Sequence, residues 1–194
     1  MNSAGSPPVT TAAPIHAIAA SDPAGELSQA EAGLLTVLRI YCEAAAIAVV
    51  IVGLIALYGW TLGIGWMKSV VPGLVEMKAN TAFGLIFAGW SCWLLLPEEP
   101  GTRRRKAAQI LAFLVILIAA LTGAEYLTGW NLHIDELIFR ESPYAVAASS
   151  PGRMAPATVV AFLGIGAALL LIDREPWPRV RPAQWLSMLV ALIA

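Results

Sequence analysis

The sequence predicts an all-α integral membrane protein, a polytopic helical bundle built from tandem parallel two-helix hairpins. Three observations favour this fold class. First, 58% of the 194 residues are hydrophobic and only 13% are charged, whereas soluble domains contain about 25% charged residues. Second, long charge-free segments recur along the chain. Third, several phrases of sequence occur twice, at matching places beside these segments. The net charge of -1 gives no indication of a nucleic-acid partner.

The N-terminal region differs from the rest of the chain. Residues 1–30 are rich in Ala, Ser and Pro and contain few large apolar residues. They predict a disordered cytoplasmic tail, because such a segment cannot bury enough surface to fold. No basic stretch followed by an apolar run occurs here, so a cleaved signal peptide is not expected.

Four apolar segments are each long enough to cross a hydrocarbon core, which needs about 20 residues. A segment that crosses must be helical, because lipid offers no hydrogen-bond partner to open backbone groups. The predicted spans are residues 40–64, 79–97, 107–129 and 154–172.

Repeated phrases group the spans into hairpins. "LYGWTLGI" ends the first span and "LTGWNLHI" ends the third, while "MKANTAFGLIFAG" and "MAPATVVAFLGIG" open the second and fourth. "KAAQILAFLVILIA" and "RPAQWLSMLVALIA" are identical at eight of fourteen positions. These matches predict hairpins at 31–104 and 105–178 and the truncated start of a third repeat at 179–194, which indicates that the natural protein continues. Each unit crosses twice, so the copies are parallel.

The basic residues predict the orientation. Arg103–Lys106 and the Arg-containing segment 174–181 are expected in the cytoplasm under the positive-inside rule. The segments 63–78 and 131–153 then face outward, with the N-terminus inside. Tryptophans near the ends of spans are expected to anchor the two interfaces; they are Trp60, Trp66, Trp130, Trp177 and Trp185.

The chain from Leu34 to Ala194 resembles a known membrane region. The phrases "VVPGLVEMKANTAFGLIFAG", "GAEYLTGWNLHIDELIF" and "AASSPGRMAPATVVAFLGIG" are similar to the multi-span N-terminal region of certain bacterial sensor proteins. In that family the region precedes PAS domains and a histidine kinase core, or sometimes a diguanylate cyclase. The resemblance implies a sensory input module in a bacterial inner membrane, and it implies no particular ligand.

Glu125 is the ionisable residue that the prediction places inside a span. It lies five residues before Trp130, about 7.5 Å below the outer interface. A carboxylate at this depth is costly and tends to face a partner or a wet cavity. The carboxylate is either a polar sensing element paired with Lys78 at similar height, or a group that reaches the headgroups alone. Aligning the two Gly-Trp corners matches Glu125 with Ile55, so the charge belongs to one hairpin only.

The two Met-Thr-Gly phrases have a structural and a ligand-binding interpretation. Asn80 or Thr81 is expected to cap the second span, and Pro156 suits the first turn of the fourth. Lys78 and Arg153 would lie at headgroup level, with Thr158 in the equivalent position to Thr81. Alternatively, the two helix N-termini present free N–H groups to an anion.

The function favoured by these observations is a membrane-embedded signal-input module, most simply of a sensor histidine kinase. The chain contains no catalytic motif and no metal-ligand cluster, and no cofactor is expected. The expected partners are the lipid bilayer and a second copy, as a dimer formed through the parent protein. The alternatives are a fragment of a small transporter or channel, or a membrane scaffold protein.

Overall fold

The computed structural model describes residues 23–69, 76–97, 99–133, 139, 152–172 and 182–193. Within these residues all regular secondary structure is α-helical, which confirms the predicted all-α helical bundle. The helices are α1 (Pro23–Leu62), α2 (Gly65–Lys68), α3 (Ala79–Leu95), α4 (Thr102–Thr128), α5 (Pro156–Leu171) and α6 (Pro182–Ile193).

Two of these helices are long and apolar enough to cross a membrane: the part of α1 from Glu31 to Leu62, and α4. Only 17% and 28% of their most apolar windows are buried within the chain, whereas the core helix of a soluble protein would be mostly buried. Their exposed residues include large side chains such as Leu38, Ile51 and Phe113. Exposed apolar surface on this scale marks contact with a membrane or with another protein.

Three shorter apolar helices lie at the positions of the remaining predicted apolar segments. α3 has 17 residues and α5 has 16, so each is about 25 Å long, slightly less than the hydrocarbon core of about 30 Å. α6 lies where the sequence predicts the start of a third repeat.

The N-terminal boundary differs from the prediction. α1 begins at Pro23, inside the segment 1–30 that was expected to be disordered. Proline suits a first helical turn, and the Ala, Glu, Leu and Gln residues that follow are good helix formers. Extending an existing helix also avoids the cost of nucleation. A composition that excludes a core therefore does not exclude a helix. Residues 1–22 lie outside the described part of the chain.

The start of α4 differs in a similar way. α4 begins at Thr102, so the basic residues Arg103–Lys106 form its first turn rather than a loop before it. The ring of Trp93 in α3 lies 5.3 Å from the Arg104 guanidinium carbon. Residues 96–101 connect the two helices, so the basic residues lie close to the end of α3.

Residues 38–194 form one compact unit. α3 and α5 both pack against α4, and α6 packs against α5. The buried face of α4 contains several small residues, including Ala108, Ala112 and Ala119, each fully buried. Small residues at these positions let neighbouring helix backbones approach closely.

Candidate functional site: a buried ion pair at the end of α4

Glu125 lies in the last turn of α4, at the end that turns toward α5. The helix stops because Gly129 adopts the left-handed conformation, with φ of 70°, and donates its N–H to the carbonyl oxygen of Glu125. Glycine adopts this conformation without the steric penalty that a Cβ would add. The Glu125 side chain is completely buried.

Two partners hold the Glu125 carboxylate. Its Oε2 lies 3.3 Å from Nε of Arg153, and its Oε1 accepts a hydrogen bond of 2.7 Å from the N–H of Leu132. The carboxylate therefore connects the end of α4 both to the segment that leaves it and to the segment that enters α5. The expectation that Lys78 would be the partner is corrected: within the described part of the chain, the ion pair of Glu125 is with Arg153.

Tyr126 strengthens the same connection. Its hydroxyl donates a hydrogen bond of 2.9 Å to the carbonyl oxygen of Met154. The guanidinium carbon of Arg153 lies 5.2 Å from the centre of the Tyr126 ring, within the range of a cation–π interaction. We call Glu125, Tyr126, Arg153 and Met154 the Glu125 cluster. It joins the end of α4 to the segment that enters α5, although Tyr126 and Met154 are 28 residues apart in sequence.

A similar arrangement lies at the end of α1. Trp60 donates its indole N–H to the carbonyl oxygen of Met77 at 2.9 Å. The ammonium group of Lys68 lies 4.4 Å from the centre of the Trp60 ring and 2.7 Å from a carboxylate oxygen of Glu76. We call Trp60, Lys68, Glu76 and Met77 the Lys68 cluster.

The two clusters use the same parts with the charges exchanged. In each, an aromatic side chain at the end of one helix donates a hydrogen bond to the carbonyl oxygen of a Met that lies shortly before the next apolar helix. The residue directly before that Met is an acid, Glu76, in one cluster and a base, Arg153, in the other. The opposite charge is supplied by Lys68 in the first cluster and by Glu125 in the second.

The buried positions of α1 and α4 show how the clusters correspond. α1 buries Ala46, Gly53, Ala56 and Gly59. α4 buries residues at the same intervals, namely Ala112, Ala119, Thr122 and Glu125. This places Trp60 level with Tyr126, one helical turn away from the alignment of the two Gly-Trp corners. In this burial pattern Glu125 corresponds to Gly59, whereas the alignment of the Gly-Trp corners pairs it with Ile55.

Gly59 has a steric role that fits this position. A Cβ atom on Gly59 would lie 2.7 Å from Cβ of Met67 and 3.1 Å from Cγ of Lys68. The missing side chain leaves room for Lys68 in one cluster, whereas the other cluster fills the equivalent position with a buried carboxylate.

The beginnings of α3 and α5 correct one prediction and confirm another. α3 begins at Ala79 with Lys78 as its N-cap residue and without a side-chain cap. Asn80 and Thr81 therefore lie within the first turn, and their predicted capping role is wrong because the helix starts before them. Pro156 is the first residue of α5, as predicted. Lys78 is only 5% exposed, so it does not lie in an open headgroup position, and Thr158 is half-buried in α5.

The predicted interface anchors have different environments. Three are strongly exposed, with 67% for Trp66, 72% for Trp130 and 67% for Trp185, as a side chain in contact with lipid would be. Trp60 is part of the Lys68 cluster, and Trp177 lies outside the described residues. Comparison with known proteins finds no family model, curated protein or solved structure that matches this chain. The function must therefore be argued from the geometry.

Several residues of the two clusters were not singled out from the sequence. Glu76 could have been found from the sequence, because a charged residue stands directly before both Met77 and Met154. Lys68 and the two aromatic donors have no sequence signature that places them in a cluster. Thr122 was also missed. It lies three residues before Glu125, is fully buried, and its hydroxyl has no hydrogen-bond partner within the described part of the chain. A threonine in an apolar helix gives no sign of this from sequence.

Proposed function

We propose that this chain is the membrane-embedded signal-input module of a bacterial sensor protein, most simply a sensor histidine kinase. One observation carries the proposal. The resemblance to sensor membrane regions rests in part on the pairs Glu125-Tyr126 and Arg153-Met154, which lie in different phrases of the sequence. These pairs meet in one cluster, through an ion pair of 3.3 Å and a hydrogen bond of 2.9 Å.

The proposal includes a multi-pass arrangement in the bacterial inner membrane. α1 with α3, and α4 with α5, form two parallel hairpins, and α6 begins a third. The matching contacts of the two pairs support this: a Cβ on Gly89 would lie 2.8 Å from the carbonyl oxygen of Ala46, and one on Gly166 would lie 3.1 Å from that of Ala112. The N-terminus and Arg103–Lys106 lie in the cytoplasm, and both clusters face outward.

The Glu125 cluster provides a mechanism for signalling. Removing one partner from a buried ion pair leaves an uncompensated charge and is strongly destabilising. A stimulus that separates Arg153 from Glu125 therefore changes the preferred position of the start of α5 relative to α4. Since α6 packs against α5, a change in α5 passes to the helix that leads toward an output domain. The stimulus acts by shifting the population between two packings.

A fusion experiment tests the proposal. The chain is joined after α6 to a histidine kinase core, with the junction moved stepwise through a full heptad so that every helical phase is sampled. Autophosphorylation is measured in reconstituted vesicles. We expect Glu125→Gln to change the basal activity in at least one phase. The matched control is Glu43→Gln, which removes a carboxylate from an exposed ion pair. In that pair, Nε of Arg39 lies 3.6 Å from Oε1 of Glu43.

The outcomes separate the candidate functions. Equal activity of wild-type and Glu125→Gln fusions in every phase contradicts a sensor role for the cluster. Solute flux into vesicles that contain the unfused chain would instead favour a transporter or channel. Within the described part of the predicted spans, buried ionisable residues are confined to Glu125 and to Lys78 at the start of α3, which gives little support to a polar transport path.

A further inference from the structure

A groove between α1 and α3 lies at the opposite end of the helices from the two clusters. Its volume is about 250 Å³, and it is lined by Ala46, Ile47, Val50, Ile51, Trp90 and Trp93. The groove is open along its length, since Ile47, Ile51 and Trp90 are each 48–49% exposed. Pockets that enclose drug-sized ligands measure about 300–1,000 Å³. This smaller, open and apolar groove suits a single hydrocarbon chain.

The groove leads directly to a cluster of positive charge. Trp93 lines its end near the C-terminus of α3, and the guanidinium carbon of Arg104 lies 5.3 Å from the centre of the Trp93 ring. Arg104 belongs to the basic residues Arg103–Lys106, all exposed in the first turn of α4. The Trp93 side chain therefore borders both the apolar groove and the basic residues.

The basic residues occupy a position that the α4 helix itself disfavours. The N-terminus of a helix carries partial positive charge, so cations in the first turn are repelled and an anion is attracted. Gly101, the N-cap residue, provides no side-chain hydrogen bond. A bound phosphate group would accept hydrogen bonds from Arg104 and from the first N–H groups of α4, which have no partner within the helix.

In sequence, basic residues outnumber the acidic residues that directly precede them. Glu43 on α1 is paired with Arg39, with 3.6 Å between Oε1 of Glu43 and Nε of Arg39. The connection between α3 and α4 contains Glu98 and Glu99, against four basic residues at positions 103–106. In sequence, positions 96–106 therefore carry a net charge of +2, four basic residues minus two acidic ones.

We propose that the groove binds one acyl chain of an anionic phospholipid whose phosphate group is held by Arg104 and its basic neighbours. The proposal rests on the helices lying in a bilayer and not on the sensing role. An apolar groove that ends in a ring-stacked arginine matches the two-part chemistry of a phospholipid. Polybasic segments at a membrane surface attract anionic lipids with about 1 kcal/mol per basic residue, which corresponds to about a fivefold change in affinity.

The test measures lipid retention by the purified full-length chain in detergent, by native mass spectrometry. Phosphatidylglycerol is compared with phosphatidylcholine of the same acyl chains. We expect one phosphatidylglycerol per chain, bound at least about fivefold more tightly than phosphatidylcholine. Equal retention of the two lipids overturns the proposal, and this arm needs no variant. Displacement by millimolar inorganic phosphate also overturns it, because the site would then recognise a free anion rather than a lipid.

Two pairs of variants test the two halves of the site. Arg104→Gln should weaken phosphatidylglycerol binding about fivefold, whereas Arg39→Gln should leave it unchanged. Ile47→Trp fills the groove and should abolish specific retention. Leu54→Trp places the same side chain at a position of similar exposure, 50%, on α1 outside the groove and should have no effect. Unchanged retention by Ile47→Trp would show that the acyl chain lies elsewhere.

Discussion

Glu125 and Arg153 form the most buried ion pair among the described residues, with side chains 0% and 13% exposed. The carboxylate also accepts the N–H of Leu132, and Arg153 lies over the Tyr126 ring. A buried charge is tolerated only when it is paired and hydrogen-bonded. The two groups are paired with each other, and Oε1 of the carboxylate also accepts the Leu132 N–H, so each depends on the other for its place in the bundle.

A double-mutant cycle measures this dependence at the residue scale. Glu125→Gln, Arg153→Met and the double variant are compared by their free energies of unfolding in micelles. We expect the single effects to be non-additive, with a coupling of at least about 0.6 kcal/mol, the average for polar pairs in membrane proteins. The exposed pair Arg39 and Glu43 is the control, and its coupling should not exceed about 0.5 kcal/mol. Additive effects at Glu125 and Arg153 would show that the Leu132 N–H alone compensates the carboxylate.

At the scale of the helices, the bundle depends on close contact between backbones. Gly89 of α3 faces α1, where a Cβ atom would lie 2.8 Å from the carbonyl oxygen of Ala46 and 2.8 Å from a methyl group of Val50. The neighbouring backbone atom belongs to a helix and cannot move alone. A side chain at this position must therefore push the two helices apart.

Gly89→Ala is expected to destabilise the protein despite the better helix propensity of alanine. Overpacking costs about 1–3 kcal/mol, whereas replacing Gly by Ala in a helix contributes about 1 kcal/mol. The control is Gly33→Ala in α1, where a Cβ would have nothing within 4 Å and only the propensity gain remains. Thermal unfolding in detergent gives both values. A Gly89→Ala variant as stable as Gly33→Ala would mean that α1 and α3 do not pack closely.

At the scale of the whole molecule, the question is which ends of the helices face outward. The two clusters lie at one end of the bundle, and the α1/α3 groove with its basic residues lies at the other. The positive-inside rule assigns the basic end to the cytoplasm. The proposed sensing and lipid-binding sites would then lie on opposite sides of the membrane.

Cysteine labelling of intact cells tests this orientation. Cys42 and Cys92 are first replaced by Ser and Ala, and single cysteines are introduced at Gly101 and Asn131, both exposed. We expect a membrane-impermeant reagent to label Asn131→Cys but not Gly101→Cys, with both labelled after permeabilisation. The reverse pattern would invert the topology, and labelling of both in intact cells would rule out an odd number of crossings between them.

The sequence alone predicted the features that depend on local composition and periodicity. The apolar runs gave the helical class and the approximate position of each helix, and Pro156 marked the start of α5, because a helix forms from hydrogen bonds within its own segment. Glu125 was recognised as unusual for the same reason: a charge in an apolar run is visible without knowing its surroundings. The boundaries were less accurate at α1 and α4, where polar helix formers extend the helices beyond their apolar parts.

Only the tertiary structure decided which side chains meet. Among the described residues, the ion pair of Glu125 is with Arg153 rather than Lys78, because the packing of α5 against α4 brings the segment that enters α5 to the end of α4. The match of Trp60 with Tyr126 instead of Trp130 has a similar cause. Residues one helical turn apart lie on the same face, so an apolar pattern fits almost equally well in either register. The choice between the registers is made by contacts between helices, such as that of Gly89 with Ala46, which no local pattern in the sequence records.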